Sequence, residues 1–425
     1  MSVTHARQEI EYLYGLERFG IKLGLDVMHE LMEVLDHPEH KFKSVHITGT
    51  TGKGSTASFL ASILHAAGYK VGLYTSPHLF TFNERVRING QPIPDEKLLE
   101  LISDIRTRAE AKGVQQTFFE FTTALAYQYF AQEKVDIAIV EVGFGGRLDA
   151  TNVITPLLSI ITNVGLDHTD ILGSTKEEIA RDKAGIIKPN VPVVTHEQEK
   201  NILAVLSEDA AKKNAAIHQV KDIITGTQTS GSLEGQTIEV RKKDEVFTVE
   251  TTLLGAHQIG NICTALVAAQ LLGEQGFNIS TQAMQAGVKA NRWKGRMEIV
   301  SRKPLIIIDG AHNQPGMEAL AAFVKDLPNR RVLVLAFKQG KDPLQVVGSL
   351  AYLFDRIIIT KGLYEPLATD VVAQSLTPLS IPLEEIPNVT DAVRRAQELA
   401  GSDGTVVITG SLYMISDALK AFPSI

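Results

Sequence analysis

The chain has 425 residues, 44% of them hydrophobic and 21% charged, which is enough apolar material for two or three packed cores. A formal net charge of −7 leaves no basic footprint for nucleic acid, and no apolar run reaches the ~18 residues that a membrane helix needs. The single cysteine, Cys263, excludes an intrachain disulfide and suits a reducing compartment; with no apolar signal core in Met1–Gln8, a cytoplasmic location is expected.

The first strong signal along the chain is Val45-His-Ile-Thr-Gly-Thr-Thr-Gly-Lys-Gly-Ser-Thr56. It reads as a strand, a phosphate-cradling turn and a helix that continues through Phe59-Leu60 and Ile63-Leu64. Gly49, Gly52 and Gly54 let backbone N–H groups approach an anion, and the helix dipole favours negative charge there. Lys53 is placed for the β- and γ-phosphates of a nucleoside triphosphate, and a hydroxyl of Ser55 or Thr56 for Mg²⁺. The pattern departs from the common one, because Ile47 stands where a glycine is usual and Gly54 separates Lys53 from Ser55. The strand-to-helix context favours a phosphate loop over a glycine-rich turn with an exposed lysine.

Short apolar runs then alternate with helical patterns: Ser44–Ile47, Val71–Tyr74, Ile137–Val140, Leu158–Ile161, Val191–Val194, Leu305–Ile308, Val332–Leu335, Arg356–Ile359 and Val406–Ile408. Runs of this kind are strands buried on both faces of parallel sheets, and an α/β fold follows. Helical crossovers are expected at Thr122–Glu133, Asn261–Leu272 and Met317–Leu327. Residues 215–253 suggest short strands with polar turns, an antiparallel excursion on the first domain. The stretch Arg292–Glu298 breaks the pattern, and a domain boundary is expected near 298, giving domains 1–298 and 299–425.

Ligands of open α/β sheets gather at the carboxyl ends of strands. Glu141 ends an apolar strand there, a position suited to Mg²⁺ facing the phosphate loop, with a solvated strand end as the less favoured alternative. Asp167 and His168 follow another strand, and Asp309, His312 and Asn313 a third. Thr75–Arg85 is a polar, proline-containing loop long enough to lie over a substrate. Lys183 falls in a helical segment, where a surface lysine is the ordinary expectation. Gly143, Gly145 and Gly146 lack the full dinucleotide pattern, and a Rossmann-type cofactor site is not expected there.

Together these segments resemble the folylpolyglutamate synthase / dihydrofolate synthase family of amide-bond ligases, which also includes the Mur ligases. The resemblance runs through Phe19–Leu25, Thr48–Ser55, Ser76-Pro-His-Leu79 with Asn83-Glu-Arg85, and Glu141-Val-Gly-Phe-Gly-Gly-Arg-Leu-Asp-Ala-Thr-Asn152. It continues at Asp167-His168, Lys183–Lys188, His257-Gln258 with Asn261, Gly295–Glu298, Asp309–Asn313 and Gly410–Tyr413. The Ser76 loop and the run Arg147–Asn152 separate it from the Mur enzymes. The resemblance implies a P-loop-containing, doubly wound ATPase domain with a small antiparallel excursion and a smaller Rossmann-like C-terminal domain. It implies ATP-dependent addition of L-glutamate to folate or tetrahydrofolate through an acyl phosphate, with two Mg²⁺ ions and a monomer.

Residue by residue, it assigns the ATP phosphates to Lys53 and to Gly49, Thr50, Thr51, Gly52, Gly54, Ser55 and Thr56. One Mg²⁺ falls to Ser76 and Glu141, the other to His168 and to Lys183 as a carbamate; Lys53, His168 and Lys183 carry the catalytic roles. Asn261, Arg296, Asp309 and His312 match nucleotide contacts. Ser76, Pro77, His78, Leu79, Glu84 and Arg85 border the folate site. Thr51 stands where the family commonly has Asn, and Gln314 where it has Pro, which touches loop shape rather than any charged group. The rivals are a bifunctional enzyme that also glutamylates dihydropteroate, a Mur-type peptide ligase, and a GTPase or motor; the Asn-Lys-x-Asp tetrapeptide of GTPases is absent.

Overall fold

The computed structural model describes residues 3–20, 22–243, 245–328 and 330–422. Ile21, within the Phe19–Leu25 segment of the resemblance, lies outside the described residues. The chain divides into two compact units. One comprises residues 1–227, 238–250 and 260–291, the other residues 228–237, 251–259 and 292–425.

The first unit is built on an eight-stranded sheet. Its strands are β1 (Lys43–Thr48), β2 (Val71–Tyr74), β3 (Val86–Ile88), β4 (Gln91–Pro92), β5 (Ile137–Glu141), β6 (Leu158–Ile161), β7 (Val193–Thr195) and β8 (Ile217–Gln219). Their spatial order is β4-β3-β2-β5-β1-β6-β7-β8. All neighbours from β2 to β8 run parallel, while β3 and β4 turn back as an antiparallel edge. The central strands are buried along their length, as their unbroken apolar runs require. One core lies where the helices Asp26–Val34, Asp95–Lys112 and Phe118–Gln132 meet that sheet, around Phe121, Tyr127 and Phe130. Thr117 and Glu120 close a capping box at the start of the last helix, which satisfies backbone donors that burial would otherwise strand.

A three-stranded sheet follows, of β9 (Thr225–Ser232), β10 (Gly235–Lys242) and β11 (Glu245–Thr251) in the order β11-β10-β9. Its two-residue connections make it an antiparallel meander. Ile217–Gln219, expected within this excursion, instead pairs parallel with β7 and extends the main sheet. Three residues carry no pattern that distinguishes the two outcomes.

The second unit has a six-stranded sheet of β12 (Glu298–Arg302), β13 (Leu305–Ile308), β14 (Arg331–Leu335), β15 (Arg356–Ile359), β16 (Leu383–Glu385) and β17 (Thr405–Thr409), in the order β12-β13-β17-β14-β15-β16. Only β12 is antiparallel. This is the doubly wound α/β architecture expected of both halves, and each of the nine expected apolar runs contributes to a strand. Among the described residues no helix is long and apolar enough to cross a membrane.

One polar chain crosses the first core. His46 on β1 is fully buried, and its Nε2 meets Thr151 Oγ1 at 2.8 Å. Thr151 in turn donates to the buried carboxylate of Asp149, while its carbonyl accepts from Tyr127 Oη at 2.9 Å. Burial drives the His46 imidazole down to about 3, so it is neutral near pH 7. The unfolded chain binds that proton below its ordinary pKa near 6.5 and the folded chain does not, so this stability is present above 6.5 and is lost as pH falls toward 3. Asp149, which desolvation raises to about 6, acts in the opposite sense. His46→Leu should therefore flatten the fall of stability between pH 6.5 and 5 by about 1 kcal/mol per pH unit, measured by urea unfolding at each pH.

Candidate active site

Register brings the polar strand ends together. Ile47 pairs with Glu141 and Thr48 with Ile161, so β5, β1 and β6 end side by side; Tyr74 pairs with Val140, which adds β2 to the row. From these four ends leave the Ser76 loop, Glu141, the phosphate loop and the Asn163 segment.

The phosphate loop runs from Gly49 to Gly52, and Lys53 opens the helix Lys53–Ala66. Gly52 caps it in the left-handed region at φ 80°, and Thr56 N bonds back to Gly52 O at 2.9 Å. Lys53 Nζ lies over the loop, donating to Gly49 O at 2.9 Å and Thr50 O at 3.4 Å. Gly54, Ser55 and Thr56 are buried, and the Thr56 hydroxyl has no hydrogen-bond partner. Asn261, on the helix His257–Glu274, approaches the same turn: a Cβ on Gly52 would lie 2.3 Å from its Oδ1.

Two residues that the sequence did not mark as site residues shape this loop. Thr162 Oγ1 donates to Thr51 O at 2.7 Å. Asn163 takes the Thr51 amide on its Oδ1 at 2.9 Å, gives its Nδ2 to Thr51 Oγ1 at 2.8 Å, and receives the Thr50 amide on its carbonyl at 3.0 Å. Thr51, the departure from the family's usual Asn, thus keeps a hydroxyl that the fold uses. Gly49 is required here: at φ 151° its absent Cβ would fall 1.8 Å from Thr162 Oγ1. Polar residues immediately after an apolar strand, beside a phosphate loop, were the available signal.

Glu141 is buried at the end of β5, and its Oε2 accepts the Ser76 amide at 3.1 Å. Ser76 and Pro77 are joined by a cis peptide bond. In the loop beyond, Glu84 accepts the amides of Leu79, Phe80 and Thr81 at 2.9–3.0 Å, and Arg85 donates to His78 Nδ1 at 2.9 Å. The Arg85 guanidinium lies 5.2 Å from the Phe118 ring centre. Desolvation, then the Arg85 charge, lowers His78 to about 4, so it accepts as a neutral ring. Glu84 and Arg85 thereby give the Ser76 loop its own internal frame.

Lys183 ends the helix Lys176–Lys183 and is only 4% exposed, which overturns the surface-lysine reading. Burial and the Lys53 charge lower it to about 7, against the opposing pull of Asp182, Asp167 and Asp149. The segment after Glu141 explains how it is buried. A Cβ on Gly146 would meet Asp182 O at 2.8 Å and Lys183 Cα at 2.9 Å, so glycine lets this loop lie against the lysine's backbone. Thr48 Oγ1 ties the same loop to β1 through Gly145 O at 2.6 Å. His168 is exposed in the left-handed region at φ 51°, with its ring 4.9 Å from that of Phe144. A cavity of about 400 Å³ opens beside this segment, lined among others by Leu23, Phe144, Arg147, Asp149, Leu172 and Asp182.

In the second unit Asp309 follows β13 and is buried. Its carboxylate accepts the amides of Met297 at 2.9 Å and Ala311 at 2.8 Å, pinning the Arg292–Met297 stretch to the sheet. His312 Nδ1 lies 3.0 Å from Gly310 O, and a Cβ on Gly310 would be 2.2 Å from Arg296 Nη1. Asn313 caps the helix Gln314–Val324 with Pro315 in its first turn, so the displaced proline still serves the helix start.

Residues 47–269 match the family described as Mur ligase middle domain, and residues 295–412 the Mur ligase glutamate ligase domain. Over 428 residues the chain is 37% identical to a dihydrofolate synthase/folylpolyglutamate synthase of Bacillus subtilis, covering 96% of this chain and 97% of that protein. The chain belongs to the folylpolyglutamate synthase / dihydrofolate synthase family of Mur-type ligases. A folylpolyglutamate synthase of Lacticaseibacillus casei is 35% identical, with 96% of each chain covered. The crystal structure of a Mycobacterium tuberculosis folylpolyglutamate synthase with ADP and AMPPCP superposes with a TM-score of 0.90 at 30% identity, over 98% of this chain and 99% of that one. Family membership makes this chain an ATP-dependent ligase, as the phosphate loop and the Glu141 strand end suggest.

Asn163 holds the loop without carrying charge. Asn163→Ala should leave the fold intact and raise the KM for ATP about tenfold, the cost of leaving loop donors unpaired; an unchanged KM in steady-state assays would remove it from this role.

Proposed function

We propose that this chain joins L-glutamate to a folate carboxylate at the expense of ATP, releasing ADP and phosphate. The observation that carries the reading is the alignment of the phosphate loop, Glu141 and Ser76 at adjacent strand ends, together with the burial of Lys183. The folate carboxylate attacks the γ-phosphorus of ATP, giving an acyl phosphate and ADP. The amine of L-glutamate then attacks the acyl carbon, phosphate leaves, and an amide remains.

Both partners of the first step are anionic. Lys53 and the amides at the start of the helix Lys53–Ala66 offset that repulsion, and most of the protein's task is positioning. Asn261, Arg296, Asp309 and His312 are assigned to the nucleotide as well. The donor chemistry fits Mg²⁺: Glu141 and Ser76 offer hard oxygens, and His168 with a carbamylated Lys183 would hold a second ion. When bound, Mg²⁺ would neutralise charge on the phosphates. Bordered by Ser76, Pro77, His78, Leu79, Glu84 and Arg85, the loop is assigned to the folate, and the boundary near residue 298 to the join of the ATPase and glutamate-ligase domains. The enzyme is proposed to act as a monomer.

An ammonium at Lys183 would repel a metal ion, whereas a carbamate would bind one. Because Lys183 titrates near 7, a large neutral fraction exists at physiological pH. Its nitrogen lone pair adds to the carbon of CO₂, one N–H proton passes to solvent, and a carbamate anion forms. The direction with pH follows: below 7 the neutral fraction falls about tenfold per unit, and the carbamate falls more steeply still at fixed CO₂, because its formation also releases a proton.

A bifunctional enzyme is the second reading, and the cavity beside Asp149 favours it. Dihydropteroate presents its carboxylate on the benzoate ring, and a folate presents it one glutamate further out, about 3.5 Å away per extended residue. One rigid pterin pocket does not serve both. The cavity offers apolar walls at Leu23, Phe144 and Leu172 with carboxylates at Asp149 and Asp182, a setting in which a pterin ring would find stacking and hydrogen-bond acceptors. Steady-state assays with dihydropteroate and with tetrahydrofolate decide between the readings. Comparable kcat/KM for both supports the bifunctional enzyme, and turnover of tetrahydrofolate alone supports the single activity.

Lys53→Ala should lower kcat by at least about 10²-fold with the fold retained by circular dichroism; activity within tenfold of wild type would sink the phosphate assignment. With ¹³CO₂ supplied, a carbamate carbon resonance should appear at pH 8, weaken below pH 7, and be missing from Lys183→Ala. Short carboxylic acids should restore part of that variant's activity.

A further inference from the structure

The connection that leads into β1 carries a cluster unrelated to the ATP site. His37, Glu39 and His40 each offer one ligand atom, and the three atoms lie within 4.8 Å of one another. His37 Nδ1 is 2.9 Å from Glu39 Oε1, and His40 Nε2 is 3.5 Å from the same oxygen. The turn arranges this. Pro38–His40 is a short 3₁₀ turn, in which side chains three apart eclipse, so His37 and His40 project together. Their rings stack at 5.2 Å with 15° between planes.

Glu39 gives the cluster its direction. Its side chain is 5% exposed, and its second oxygen, Oε2, is buried without a hydrogen-bond partner. A carboxylate in that position lacks compensation that a cation would provide. The two imidazoles are largely exposed, at 51% and 68%, so an ion has a path in from solvent. Ligands bonded tetrahedrally at 2.0–2.1 Å stand about 3.3 Å apart, between the two separations observed. Two imidazoles and one carboxylate form a donor set for a borderline first-row metal, with further positions left to water.

We propose that His37, Glu39 and His40 form a binding site for Zn²⁺ or a similar divalent transition metal. Zn²⁺ would replace the proton shared between His37 Nδ1 and Glu39, and that proton would pass to solvent. The site is separate from any Mg²⁺ at the phosphates, because β1 intervenes: the cluster precedes its first residue, Lys43, and the phosphate loop follows its last, Thr48, about 17–20 Å on. Metal here would cross-link the entry to β1 and stabilise the native chain.

Isothermal titration of the full-length protein with ZnCl₂ alone, near neutral pH, tests this. One site with Kd of about 1 µM, heat that varies with the buffer's ionisation enthalpy, and a visible Co²⁺ ligand-field band are expected. His37→Ala/His40→Ala should abolish the band and weaken Zn²⁺ binding at least tenfold, while ATP-dependent ligation reports that the variant is folded. If that variant fails to fold, His40→Gln alone should produce the same loss. Equal Zn²⁺ affinity in wild type and variant, or no Zn²⁺ heat and no Co²⁺ band in wild type up to about 1 mM, overturns the site.

Discussion

The site depends on the way β6 continues past its last sheet residue and holds the neighbouring loop. Thr162 and Asn163 supply hydrogen bonds to Thr50 and Thr51, so the phosphate loop is shaped by a strand remote in sequence as well as by its own glycines. A glycine-rich turn alone has many conformations of similar energy, and fixing one costs about 1–2 kcal/mol per residue. The Asn163 carboxamide offsets part of that cost in the folded state, before any anion arrives. A loop whose backbone is already fixed in this way needs little reorganisation when an anion binds, which is how such sites work in acyl and phosphoryl transfer.

Burial decides the charges around Lys183. Three carboxylates nearby favour the ammonium, yet desolvation and Lys53 prevail and bring it to about 7. The same burial raises Asp149 to about 6. An amine moved down and a carboxyl moved up both come within reach of neutrality, so a proton is gained or lost there at small cost. Groups shifted this way concentrate at functional sites because chemistry requires them and stability alone does not.

Apolar strands were readable because burial on both faces leaves continuous Val, Ile and Leu: Val71–Tyr74, Leu158–Ile161, Leu305–Ile308 and Arg356–Ile359 coincide with strands at both ends. The polar strands β9–β11 were readable from their turns, but β3, β4, β12 and β16 were not, because they take their pairing from neighbours. The burial of Lys183, a residue marked only by the family resemblance, was hidden for a related cause. Gly146 lies against the lysine's backbone, a tertiary contact across 37 positions of sequence that no local pattern encodes. Thr162 and Asn163 look like an ordinary polar strand exit until register sets them beside the phosphate loop.

Each large sheet has one edge that offers little to pair with. On the first, β4 is two residues long, exposed, and contains Pro92, which has no amide hydrogen to donate. On the second, β16 is Leu383-Glu384-Glu385, so an added strand would meet two adjacent carboxylates. Unpaired edges are where chains of this class add foreign strands and grow into aggregates, and short, proline-bearing or charged edges are the usual protection. In a protein with nine parallel strand pairs in two open sheets, these two edges are thereby guarded against pairing with foreign backbone, without either sheet having to close into a barrel.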